Sequence, residues 1–247
     1  MLYAALAALF LSSCEGTGGS ASASTATDAQ AAASAEEMLQ RFKADPKLGT
    51  AYRTMSELFP REYAAMLDEL RAQPHPASES EAARAGYQAM RRQVIAKREQ
   101  FMRAPDADIA QYLEALFLVG QTMQRTNPAG CVAAFTGRPE AFPRDYEALS
   151  AMSAVSAAYF RAAAAGQARP VIRMELAESD YSAWIEAMRA GGVEEATLEL
   201  MFDRSLQAQA TSDQLCGMRI AMMEGVTRLP LPIVGKFGAA LMKPVQE

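Results

Sequence analysis

DADIAQYLEALFLVGQTMQRT, Asp106 to Thr126, is the stretch on which the fold turns. Ile109, Leu113, Leu116, Phe117, Gly120 and Met123 fall in register on one helical face. It is the most apolar helix in the chain, so it is expected at the centre of the core. Asn127-Pro128 then opens a short helical turn through Cys131 and Phe135, closed by Gly137.

The same periodicity runs outward in both directions. Ser34-Ala-Glu-Glu37 and Ser78-Glu-Ser-Glu81 are capping boxes, and Thr211-Ser-Asp-Gln214 is a third. The first opens a helix with Met38, Leu39 and Phe42 on one side, stopped by Asp45-Pro46. Leu48, Tyr52, Met55 and Phe59 mark a second helix, and Pro60 restarts the chain into Tyr63, Met66, Leu67 and Leu70. The longest helix is expected from Ser78 to Arg103, buried along Ala83, Tyr87, Met90, Val94 and Phe101. Downstream, Pro143 opens a helix from Arg144 to Ala165, with Tyr146, Leu149, Met152, Tyr159 and Phe160 facing inward and Gly166 as its C′ residue. Pro170 to Glu178 reads as extended or irregular, because Ile172, Met174 and Leu176 alternate like a strand. Helices follow at Ser179–Arg189, Val193–Ala208, from Thr211 through Cys216, Ile220 and Met223, and at Ile233–Met242. The fold class is all-α, a compact multi-helix domain.

At the front, the apolar run Leu2 to Leu11 ends in Leu11-Ser12-Ser13-Cys14. About ten apolar residues are too few to span a bilayer and suit the h-region of an export signal. The stretch resembles the lipobox of bacterial lipoproteins, which are cut before the Cys. That resemblance implies that Cys14 carries diacylglyceryl and acyl (palmitate) groups, with residues 1–13 removed. Met1-Leu2-Tyr3 lacks the basic residues such signals begin with, as if the start lay upstream. Residues 16–35 are almost all Gly, Ser, Ala, Thr and Gln, too polar to offset ordering entropy, and read as a disordered tether with a reach of roughly 25 Å. The expected plan is signal 1–13, lipidated Cys and linker 14–35, and helical domain 36–247. By the lipoprotein sorting rule Glu15 points to the periplasmic face of the outer membrane, the inner membrane being the alternative.

Of 247 residues, 50% are hydrophobic and 21% charged, enough for a sizeable core. A net charge of -5 argues against nucleic acid, which a basic patch would serve. With Cys14 acylated, Cys131 and Cys216 form an even pair, expected to be one disulfide in an oxidising compartment. Two separately buried thiols are the alternative. The single His, His75, sits between Pro74 and Pro76 on a loop, so neither a catalytic His nor a four-ligand zinc site is expected, and no cofactor.

A repeat runs through this order: Phe59-Pro60-Arg61-Glu62-Tyr63 returns as Phe142-Pro143-Arg144-Asp145-Tyr146. Units starting near 45 and 127 would be two stacked helical repeats, or independent helix starts that converge on the same residues. The 15 methionines read as core filler. The doublets Arg91-Arg92 and Lys97-Arg98 are candidates for meeting an acidic partner, or for pairing with acids one turn away. Glu175, Glu178, Asp180, Glu194 and Glu195 are the carboxylates from which an acid and base pair could be drawn.

No catalytic motif stands out, so a binding role is expected and no catalytic residue is assigned. The plan of lipobox, tether, helical domain and one disulfide resembles that of periplasmic immunity lipoproteins, which neutralise effectors of type IV and type VI secretion systems. The resemblance implies a lipid-anchored protein whose partner is an effector toxin or envelope enzyme, blocked by occlusion. A non-enzymatic envelope or lipoprotein-handling factor and a carboxylate-dependent cell-wall hydrolase are the competing expectations.

Overall fold

The computed structural model describes residues 35–72, 79–136 and 146–243. Cys14 and the rest of the first 34 residues, Ser78, Pro74-His75-Pro76, Gly137 and Phe142 to Asp145 lie outside the described residues. Among the described residues every regular element is an α-helix. In order they are α1 (Ala35–Ala44), α2 (Thr50–Leu58), α3 (Pro60–Ala72), α4 (Glu79–Ala96), α5 (Arg98–Met102), α6 (Asp106–Thr126) and α7 (Pro128–Thr136). Then come α8 (Tyr146–Ala168), α9 (Glu178–Ala190), α10 (Glu195–Phe202), α11 (Arg204–Gln209), α12 (Ser212–Thr227) and α13 (Leu231–Leu241).

The central pair is α6 against α8. α8 also packs on α2, α4 and α5, while α6 carries α7, α12 and α13, and α9 and α10 lie on α12. Ile109, Leu113 and Met123 of α6 are inaccessible to solvent, so this stretch is the middle of the molecule as expected, although α7 and α13 are the more apolar helices. Each contributes on the order of 2 kcal/mol by leaving water. Phe117, expected on the same face, is only half-buried. Met55, Met66, Met123 and Met218 fill the core, as their helical spacing suggests.

The Asp45-Pro46 turn is set by side chains. Asp45 Oδ1 accepts the Lys47 and Leu48 amides at 2.8 Å, which holds its carboxyl below the usual range. Arg53 closes the C-terminal end of α1 by donating to the Lys43 and Asp45 carbonyls at 2.7 and 2.6 Å. Ser153 of α8 donates to Leu48 O at 2.6 Å and accepts the Ala51 amide, stitching α2 to the central pair.

The long helix expected from Ser78 to Arg103 is two helices, broken at Lys97. Lys97 is buried, its ammonium paired with Glu62 of α3 and 4.4 Å from the centre of the Phe59 ring. One turn earlier, Tyr159 donates its hydroxyl to Val94 O at 2.6 Å. Phe101 beyond the break stacks on Tyr159, with centroids 4.7 Å apart, and meets Tyr112 edge-on at 4.8 Å. The kink lets Phe101 enter that aromatic cluster, and the longest helix among the described residues is instead α8. The helix expected over Val193–Ala208 is likewise two, because Asp203 Oδ1 accepts the Ser205 amide at 2.7 Å and starts α11.

Gly166 is not a C′ residue: α8 runs through it to Ala168, and a Cβ there would fall on Gln100 O and Ala104 N. It is a packing glycine that lets α5 touch α8. Tyr146 faces solvent instead of the core, bonding Asp45 Oδ1 at 3.0 Å, whereas its counterpart Tyr63 is buried. The Thr211 capping box forms as expected, with Thr211 and Gln214 each bonding the other's amide. Cys131 of α7 and Cys216 of α12 are joined by a disulfide, fully buried, with Cα atoms 5.7 Å apart.

Candidate functional site

Between α8 and α9 the chain runs from Pro170 to Ala177 without helix, as the alternation of its residues suggests. This strap is fastened from beneath. The Val171 amide donates to Arg103 O at 2.8 Å, and Leu176 is buried. Arg173 turns inward with its side chain 9% exposed. Its guanidinium donates to Asp106 Oδ1 through Nε at 2.9 Å and Nη2 at 2.6 Å, to Met102 O at 2.9 Å, and to Ala104 O. The cation therefore sits where the carbonyls ending α5 meet the carboxylate opening α6, both of which favour positive charge. Gly235 of α13 leaves room for the pair, since a Cβ there would strike Asp106 Oδ1 and approach Arg173 Nε at 2.8 Å.

The far end is fastened by α13 and the residues just past it. Lys243 reaches Glu175 Oε1 at 2.7 Å, and Lys236 reaches Asp180 Oδ2 at 2.8 Å. Asp180 also accepts the Ala177 amide at 2.8 Å, and Lys236 chiefly holds its carboxyl below the ordinary Asp range.

Over residues 171–174 the side chains alternate, so with Arg173 turned in its neighbours are turned out, but the alternation expected to reach Leu176 breaks at exposed Glu175, and Leu176 falls on the buried side. Ile172 is 98% exposed and Met174 84%. No other large apolar side chains among the described residues approach this exposure, the next being Leu118 at 52% and Leu231 at 51%. Beside the strap, Gln100, Arg103, Gly166 and Pro170 line a shallow cleft in which Gln100 Oε1 is buried without a partner.

The residues singled out from the sequence fall elsewhere or serve other ends. Arg92 pairs with Glu69 across α3 and α4, Lys97 is buried against Glu62, and Arg91 and Arg98 are half-buried, so the two doublets do not form one open basic face. Their acids lie 23 and 35 residues away, not one helical turn. Among the acids, Glu175 and Asp180 belong to the strap fastening, and Glu195 pairs with Arg189 at 2.9 Å, which lowers its pKa. Glu178 and Glu194 are exposed at the starts of α9 and α10. Among the described residues no His, Cys, Asp and Glu cluster could hold a metal, and no helix is long and apolar enough to cross a membrane. The sequence marked Ile172, Met174 and Leu176 as alternating, but the signal for which face is buried lies in Arg173, a residue type ordinarily placed outside. No protein-family model, curated protein or solved structure matches this chain.

Proposed function

We propose that the chain is a membrane-tethered periplasmic binding protein, an immunity or inhibitor lipoprotein that blocks a toxin or cell-wall enzyme by covering it. The observation that carries this reading is the strap: two apolar side chains held out by a buried guanidinium. A docking element fixed before contact loses little entropy on binding, and exposed apolar anchors of this kind seat in a partner's pocket. The lipobox supports an anchor at Cys14, which would confine the domain near the membrane and raise its local concentration over any target there.

The test is protection. Deleting the gene should sensitise cells only while a neighbouring effector is active, and full-length protein should restore survival. Cys14→Ser should protect poorly, and Ile172→Asp with Met174→Asp should not protect at all while melting as the parent does. Unaltered survival of the deletion strain under an active effector defeats the immunity reading, and full rescue by the double Asp variant removes the strap from it.

A further inference from the structure

We infer that the strap also pairs with the strap of a second copy, so that the free protein covers its own docking element. The inference rests on the strap as docking element and adds its regulation. Three observations point to a second copy.

The first is register. Because the Val171 amide is turned to Arg103 and side chains alternate, the amides of Ile172 and Met174 face the open edge, and neither is hydrogen-bonded among the described residues. In an antiparallel pair of straps centred on Arg173, Ile172 of one copy stands opposite Met174 of the other, twice over. Both residues turn their amides to that edge, and they would form a hydrogen-bonded pair. The second is side-chain character: the four most exposed apolar groups then pack on one another across the two-fold axis.

The third is charge. Arg169, 73% exposed and only 3.7 Å from Asp108, precedes the strap, and exposed Glu178 follows it. Arg103 lies at the first end, while at the second Glu175 already holds Lys243. An antiparallel two-fold arrangement brings Arg169 of one copy toward Glu178 of the other, twice, whereas a parallel one sets like charges side by side. The contact is small, so a dissociation constant on the order of 10 to 100 µM is expected, and a partner using Ile172 and Met174 would compete with it.

Sedimentation of the full-length protein in detergent tests this. The parent should shift from monomer to dimer with concentration, Ile172→Asp should stay monomeric, and Arg169→Glu or Glu178→Arg alone should weaken the dimer about tenfold. The combined variant Arg169→Glu with Glu178→Arg should restore it, because the swap re-forms both end contacts only in the antiparallel register. A parent monomeric at hundreds of micromolar, or a combined variant weaker than either single one, overturns the pairing. If protection still fails in the Ile172→Asp variant while the parent is monomeric, only self-pairing falls. If the dimer forms and Ile172→Asp leaves protection intact, the partner reading fails alone.

Discussion

Arg173 Nη2 and Asp106 Oδ1 lie 2.6 Å apart, joining the strap to the first turn of α6 across 67 residues of chain. Replacing Arg173 by Met removes a nearly buried cation and leaves Asp106, 28% exposed, facing the carbonyl ends of α5. The expected cost is about 2 kcal/mol, below that of a fully buried pair because water reaches the acid. Limited proteolysis should then cut within residues 170–177 several-fold faster than in the parent. Equal rates would show that the strap is held by something else.

Cys131→Ala with Cys216→Ala releases a loop whose ends are 85 residues apart. By loop-closure entropy the loss is about 4 kcal/mol, or a melting point lower by about 10 °C. Reductant should lower the parent to the same value and leave the variant unmoved; a difference of under about 2 °C in calorimetry contradicts the loop-closure account.

Tyr159→Phe keeps the stack on Phe101 but removes the bond to Val94 O, whose carbonyl still accepts the Lys97 amide at 3.3 Å. About 1 kcal/mol is expected. Phe101→Ala empties the centre of the cluster and should cost about 4 kcal/mol in urea unfolding. Reversal of that order would mean that the kink at Lys97 is set by the hydroxyl and not by the rings.

Asp180 titrates below the ordinary Asp range because Lys236 and the Ala177 amide stabilise its charged form. A pKa lower in the folded state adds stability above the unfolded pKa, about 4, and loses it as pH falls through the folded value. Asp180→Asn should therefore unfold more readily than the parent near neutral pH, and the gap should close on acidification. Denaturant midpoints across pH provide the check, and a gap that widens in acid reverses the sign.

Helix content, the capping box at Thr211, the central place of Asp106–Thr126 and the disulfide were legible, because each rests on local spacing or on cysteine parity. The breaks were not. Lys97 turns inward toward Glu62 and Phe59, 35 and 38 residues earlier, and nothing near it in the chain marks that contact. Gly166 reads as a helix end by composition, yet its missing Cβ is used by a neighbour from α5. Along the strap the alternation of Ile172 and Met174 was visible, but its break before buried Leu176 and its phase were not, since the buried member is an arginine whose reward comes from three carbonyl and carboxylate groups around the α5–α6 junction.

The strap's phase gives it a parity. One residue inserted between Val171 and Ile172 would swing the guanidinium into water and push Ile172 toward the carboxylate of Asp106, whereas two inserted there would restore both to their sides. Insertions in this segment should therefore come in even steps, and a single-residue insertion should do more harm than a double one.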